Sequence, residues 1–393
     1  MDPRDVVSLS SALVRARSDG PPAHERPVLD LLLDVFGGAG ACCIEQPVGL
    51  PDERCNLLVL PSRTGVEKLD SFKNGLLFSS HMDVVSPGDV AGWPADPFDP
   101  WIDGDGCLHG RGATDMKGGL AATVVSFLDC HDALEAAQRQ GRLVALLFTV
   151  DEEVSLAGAR AFCASPLATA FDKVIVPEPT GLLAVRGHKG VLFIEVTARG
   201  KAAHGSVPER GVNAISIAMQ TCRSLERDFT INAAKHVHPV LGAPTMNVGC
   251  INGGSAPNIV PESCTFAIDR RVTGGEDIGG VVERVASVLA SCAIPPGGSL
   301  NHAAINARPP YLLDESNGFL NQIEGKLGKA RVMNGYTEAG IFHQAGLSPI
   351  VLGPGSIDQA HVADEKVDVQ ALARAVDIYK DIMMVHVAGG VEP

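Results

Sequence analysis

The chain is poor in the features that mark several large classes of protein. Aromatic residues make up only 5 % of its 393 residues, which argues against a Tyr- and Trp-rich recognition surface. Basic residues are outnumbered, 32 Lys and Arg against 46 Asp and Glu, and the net charge of −14 comes without any Lys/Arg block, so the electrostatic footprint of nucleic-acid binding is missing. Long apolar runs are missing too: the stretch 143–150, already broken by Thr149, falls far short of the ~20 residues that span a bilayer, and no membrane partner is expected. The ten cysteines include no CxxC pair, and Cys42 and Cys43 are their sole neighbours, which favours reduced thiols over a disulfide framework or a cysteine-bound metal. The first residues, MDPRDVVSLS, lack the basic and apolar regions of a secretory signal, so a cytoplasmic location is the expectation.

What is present is an apolar content of 45 % and a length that, at roughly 150 residues per domain, predicts two or three domains. Short β-rich apolar runs at 76–78, 143–150 and 174–176 read as buried parallel strands, and the Ala-, Val- and Leu-rich segment 115–137 between the first two reads as a helix. This alternation predicts a catalytic α/β domain with a central, mostly parallel sheet. From about Gly187 the texture changes to a β-α-β-β-α order with a last strand near 303–307, which predicts an inserted ferredoxin-like α+β unit. The expected division is 1–186 and 308–393 for the catalytic domain and 187–307 for the insert.

The informative pattern is where acids and imidazoles fall. His81 and Asp83 follow the first strand, Glu152 and Glu153 the second, and Glu178 the third; Asp115 is expected to open a helix, and His361 lies a few residues beyond an apolar run at 350–352. Groups just beyond the carboxyl ends of strands in an open α/β sheet converge in one crevice. Two histidines with several carboxylates and no thiolate suit zinc, cobalt or manganese, and the acids exceed what one tetrahedral ion requires, so two divalent metal ions sharing a bridging carboxylate are expected. Asp83, two positions from His81, is placed to orient its second ring nitrogen. Taken singly, each residue also has a plain reading: a strand-end histidine, a helix-start acid, a solvated charge. Gly104-Asp-Gly and Gly353-Pro-Gly lack the spacing and lysine of a phosphate loop and read as turns, and His236 and His238 read as surface residues.

The motifs Ser80-His-Met-Asp-Val-Val, Gly110-Arg-Gly-Ala-Thr-Asp-Met-Lys-Gly-Gly, Thr149-Val-Asp-Glu-Glu, Pro177-Glu-Pro-Thr and Ala360-His resemble, in order and over nearly the whole chain, those of a di-metal amidohydrolase and peptidase family. That family includes acetylornithine deacetylase, succinyl-diaminopimelate desuccinylase, aminoacylases and glutamate carboxypeptidases. The resemblance implies that His81 and Glu178 hold one metal, zinc or cobalt, that Glu153 and His361 hold the other, and that Asp115 bridges them. It further implies that Asp83 buttresses His81, that Glu152 is the general base, and that His204, in Gly200-Lys-Ala-Ala-His-Gly-Ser, stabilises the oxyanion in the partner subunit of a homodimer. Asn258 and Arg270 fall where the family binds the α-carboxylate of a small N-acyl amino acid.

Within the family, Tyr336-Thr-Glu-Ala and Gly353-Pro-Gly-Ser-Ile-Asp-Gln-Ala-His resemble the acetylornithine deacetylases, and an anion at Glu338 would disfavour an acidic acyl tail. The alternatives are a desuccinylase, a dipeptidase or carboxypeptidase of the same family, and, from another class, a non-catalytic binding protein.

Overall fold

The computed structural model describes all residues except 65–68, 70 and 390–393. The chain divides into two compact units, Met1–Arg186 with Leu313–Arg331 and Thr337–Pro393, and Gly187–Leu312 with Val332–Tyr336. The second unit begins at Gly187; its last long strand runs to Arg308, a short strand, Tyr311–Leu312, follows, and the first unit resumes at Leu313.

The first unit begins with helices α1 (Val6–Arg15) and α2 (Arg26–Ala39) and strands β1 (Cys42–Pro47), β2 (Cys55–Leu60) and β3 (Gly75–His81). It continues through α3 (Gly118–Gln138), β4 (Val144–Thr149) and β5 (Phe171–Pro179). The second unit contains β6 (Gly190–Arg199), α4 (Ala214–Ala233), β7 (Thr245–Gly253), β8 (Ser263–Val272), α5 (Ile278–Ser291) and β9 (Ser299–Arg308), after which the first unit resumes with β10 (Ser348–Gly353) and closes on α6 (Val369–Val387).

Strands of the first unit lie in the order β10-β5-β3-β4-β2-β1. The first four are parallel and β2 and β1 add antiparallel at one edge, while Val185 pairs antiparallel with Val351 of β10 at the other, so the sheet is mixed. The reason is chain length: β1 and β2 are joined by a turn of seven residues, too short for a parallel crossover. Every residue of β3 and β4 is buried, as expected for strands covered on both faces. The Phe148 ring meets Phe36 of α2, which in turn meets Phe127 of α3, while Thr149, on the opposite face by strand alternation, donates its hydroxyl to Glu338 ahead of the short helix Ala339–Gln344. Helix α3 is apolar around most of its circumference and is buried from Gly118 to Leu128, packed against both α1 and α6.

The second unit is an antiparallel sheet of order β7-β8-β6-β9. Its β-α-β-β-α-β succession is the ferredoxin-like pattern. One row of β8, Cys264, Phe266, Ile268, Arg270 and Val272, is buried, and the apolar members of that row pack with Ile194 and Val196 of β6 and with Ile217 and Leu225 of α4.

Candidate functional site

The parallel strands deliver their chemistry at their carboxyl ends. His81 is the last residue of β3 and Glu178 the penultimate residue of β5, so both are held by the sheet itself. Asp115 does not open a helix. It lies with an extended backbone (φ −121°, ψ 97°) in an irregular turn, its peptide bond to Met116 is cis, and α3 begins only at Gly118. A Cβ on Gly119 would stand 2.2 Å from the carbonyl oxygen of Pro177, so glycine at 119 lets the helix start press against the strand that carries Glu178. His361 sits on the loop after β10 with a left-handed backbone (φ 61°), and its side chain is 52 % exposed.

These segments bring the expected donors together. His81 Nε2 lies 3.2 Å from Asp115 Oδ1 and 3.7 Å from Glu178 Oε1. His361 Nε2 lies 3.4 Å from Asp115 Oδ2 and 3.2 Å from Glu153 Oε2. Asp115 thus turns one carboxylate oxygen to each imidazole. Donors bound at ~2.0–2.1 Å around one tetrahedral ion stand about 3.3 Å apart, which matches both clusters. Charge points the same way: Asp83, Asp115, Glu152 and Glu178 are buried and Glu153 is half-buried, while the cluster contains only two imidazoles to oppose them. The His361 imidazolium donates to the Asp115 and Glu153 carboxylates, and these hydrogen bonds push its pKa up to about 10.

The carboxylate of Asp83 does not do what was expected of it. His81 Nδ1 donates to the main-chain carbonyl oxygen of Asp83 at 2.8 Å, and the carboxylate is 3.6 Å away. That main-chain bond sets the tautomer and leaves Nε2 to offer its lone pair. The Asp83 carboxylate instead accepts from the backbone N–H groups of Glu152 and Glu153, each at 3.1 Å, and so ties the end of β3 to the loop after β4. The same loop is braced through Asp151, whose N–H donates to Glu25 at 3.2 Å and whose carboxylate is 2.9 Å from Arg54, itself paired with Glu25. Asp83→Ala should therefore weaken metal affinity ~10- to 100-fold. Excess metal should restore the rate only in part, because Glu152 loses its anchor as well; a metal titration read beside turnover separates the two effects.

Two other expected residues are placed differently. Glu338 is fully buried, with its carboxylate accepting from Ser79 and from Thr149, the latter at 2.8 Å. Ser79 and His81 share a face of β3, so Glu338 supports that face from below and presents no charge to an acyl tail. Arg270 belongs to the buried, helix-facing row of β8, ion-paired with Glu276 and with its guanidinium 4.9 Å from the centre of the Phe229 ring, which does not leave a free fork for a substrate carboxylate. Its neighbour Arg271 points to the other face and pairs with Asp269 at 2.9 and 3.0 Å. His204 and Asn258 meet in the second unit: the short strand Ala203–His204 pairs with Ile259–Val260, and the Asn258 carbonyl accepts from Gly205 N–H at 2.7 Å. Both side chains are exposed, and His204 Nδ1 is 2.7 Å from Ser206 Oγ.

Sequence reasoning missed Lys117, Arg111 and Glu365. Lys117 is fully buried and donates to the carbonyl of Ala16 at 2.8 Å, and burial pulls its pKa down to about 7, so the lysine of the Asp-Met-Lys motif secures the turn to α1. Arg111 pairs with Glu365, which in turn cradles the Asp115 turn.

Comparison with known proteins agrees with this geometry. An acetylornithine deacetylase of Proteus mirabilis is 36 % identical over 346 residues, 87 % of this chain and 85 % of its own, and one from Yersinia pseudotuberculosis is 33 % identical over 344 residues, 87 % and 86 % of the two chains. Among solved structures, an M20 family metallo-carboxypeptidase from Sulfolobus solfataricus shares the fold with a TM-score of 0.78 at 17 % identity, covering 99 % of this chain and all of its own. A dinuclear metal-binding M20 peptidase from Bacillus subtilis does so with a TM-score of 0.65 at 14 % identity, covering 98 % of each chain. The model of peptidase family M20/M25/M40 matches residues 77–385, a span that starts inside β3 and takes in every donor around Asp115, and the chain is a hydrolase belonging to that family.

Proposed function

We propose that the protein removes the acyl group from an N-acylated amino acid, N-acetylornithine foremost, using two divalent cations, zinc or cobalt. The observation that supports this best is the Asp115 carboxylate with one oxygen toward each imidazole. His81 and Glu178 would hold one cation, His361 and Glu153 the other, with Asp115 between them. When bound, such a pair polarises an amide carbonyl and makes water a nucleophile at neutral pH.

The remaining work falls to side chains. Glu152, buried beside the donors and anchored through its own N–H, would take the proton of the attacking water and return it to the leaving amine, so one carboxylate acts as base and then as acid. His204 would donate to the oxyanion from the partner chain of a homodimer, with the second unit as the dimerisation and lid element. The acetylornithine substrate rests on the names of the relatives at 33–36 % identity. Rates on N-acetylornithine, N-succinyl-diaminopimelate and a set of dipeptides test the reading. Turnover confined to dipeptides, or to the succinylated substrate, would move the assignment elsewhere in the family.

Metal loading should be linked to protons. His361, with its pKa raised to about 10 by Asp115 and Glu153, is charged at neutral pH without metal, so a cation must displace its proton. Affinity should therefore rise with pH across 6 to 8, about tenfold per unit for each proton displaced. Zinc titration of metal-free protein in weak buffer should acidify the solution; affinity independent of pH would remove His361 from the ligand set.

A further inference from the structure

We propose that Glu365 is a positioning residue that fixes the His361 loop to the Asp115 turn and so sets the spacing of the two metal half-sites. The inference rests on the di-metal reading above and goes beyond it. His361 is the most exposed of the five donors and is carried by a loop; between Pro354 and Glu365 the regular structure is a bridge from Ser356 to Thr180 and one turn of 3-10 helix, Ile357–Gln359, both of them ahead of His361. A donor so placed needs an external tether, and four residues further on the chain supplies one.

The Glu365 carboxylate is fully buried and accepts along both oxygens. Oε1 takes the N–H groups of Thr114 at 2.8 Å and Asp115 at 2.9 Å, and Oε2 takes the N–H of Gly112 at 3.0 Å and Arg111 Nη1 at 2.5 Å. Its own carbonyl accepts from Gly110 N–H at 3.0 Å, so side chain and main chain together clasp residues 110–115. Arg111 completes the clasp by donating Nη2 to the carbonyl of Val362, next to His361, at 3.2 Å. On the other side Asp364 Oδ1 is 2.7 Å from His109 Nδ1, and Lys366 pairs with His109 in a short antiparallel ladder. One anion thus satisfies three backbone donors of a turn that has no regular hydrogen-bond ladder, and the same residue anchors the loop of the exposed donor. Removing it frees the bridging carboxylate and His361 to move independently, which weakens the half-site that needs both.

The test uses cobalt as the probe. Wild type should take up two equivalents. Glu365→Gln, which keeps the shape but halves the acceptors, should bind the first with less than about threefold change and the second ~10- to 100-fold more weakly, with an altered visible spectrum. The metal-free melting temperature reports whether the variant has folded. Because Gln leaves Arg111 buried without its partner, the double variant Arg111→Met with Glu365→Gln removes both charges and should show the same selective loss. A folded variant that takes both equivalents with wild-type affinity and spectrum overturns the inference alone; wild type that takes no second equivalent overturns it together with the di-metal reading. Hydrogen exchange on metal-free wild type tests the clasp without any substitution. The amides of Gly112, Thr114 and Asp115 should exchange slowly, and rapid exchange there counts against it.

Discussion

Glu152→Gln should keep its metals and lose turnover by about 10²- to 10⁴-fold, the scale of removing a general base. In barrier height this is roughly 3 to 5 kcal/mol. The amide has nearly the size and shape of the carboxylate, and the anchor of residue 152 is its backbone N–H on Asp83, 3.1 Å away, so the loop keeps its position. None of the five donors, Asp115 among them, changes. What disappears is the capacity to accept a proton from water and deliver it to the amine. The acid limb of kcat/KM that reports this carboxylate should flatten as well. Metal content by elemental analysis, measured on the same preparation as kcat, decides the matter: full activity with full metal removes Glu152 from the mechanism, whereas loss of metal would make it a structural acid of the cluster.

Much of this site was legible because parallel strands end where their chemistry is. The apolar runs ending near His81, Glu152 and Glu178 marked three strand ends, and the fold rule for open α/β sheets places such ends together. The edges of the sheet were less legible, since the antiparallel pairing of β1 with β2 depends on which neighbour a short connection permits and leaves no periodic mark. Asp115 was misread as a helix-start acid because the following residues are strongly helical. The glycines with which the helix begins answer close approaches that the sequence does not show: a Cβ on Gly119 would stand 2.2 Å from the Pro177 carbonyl oxygen, and one on Gly118 would stand 2.9 Å from the Leu372 side chain. Arg270 was in principle readable: Cys264, Phe266, Ile268 and Val272 alternate as a buried row, and the same period puts residue 270 in that row and Arg271 on the other face. Glu338 and Glu365 carried no such signal. Each is an acid whose partners, Ser79 and Thr149 for one and the Asp115 turn for the other, lie some 190 to 260 residues away in sequence.

His204→Ala should lower kcat by ~10²- to 10³-fold if the imidazole is a main oxyanion donor, with metal content unchanged. The second half of that expectation follows from placement: His204 belongs to the second unit, on a two-stranded ribbon with Ile259–Val260, while all five donors belong to the first. Its ring nitrogen Nδ1 is engaged by Ser206 at 2.7 Å, which orients the ring and leaves Nε2 as the atom to present to substrate. Because the loss is in the transition state, KM should change much less than kcat. Subunit exchange gives the sharper result. When His204→Ala chains are mixed with Glu152→Gln chains, a histidine that acts across a homodimer places both lesions in one site of each heterodimer and neither in the other. Activity should then reappear, reaching about half the wild-type rate per heterodimer, since one of two sites is intact. Verified exchange without recovery would show that each chain relies on its own histidine, and a strictly monomeric protein with full turnover would leave no partner to supply one.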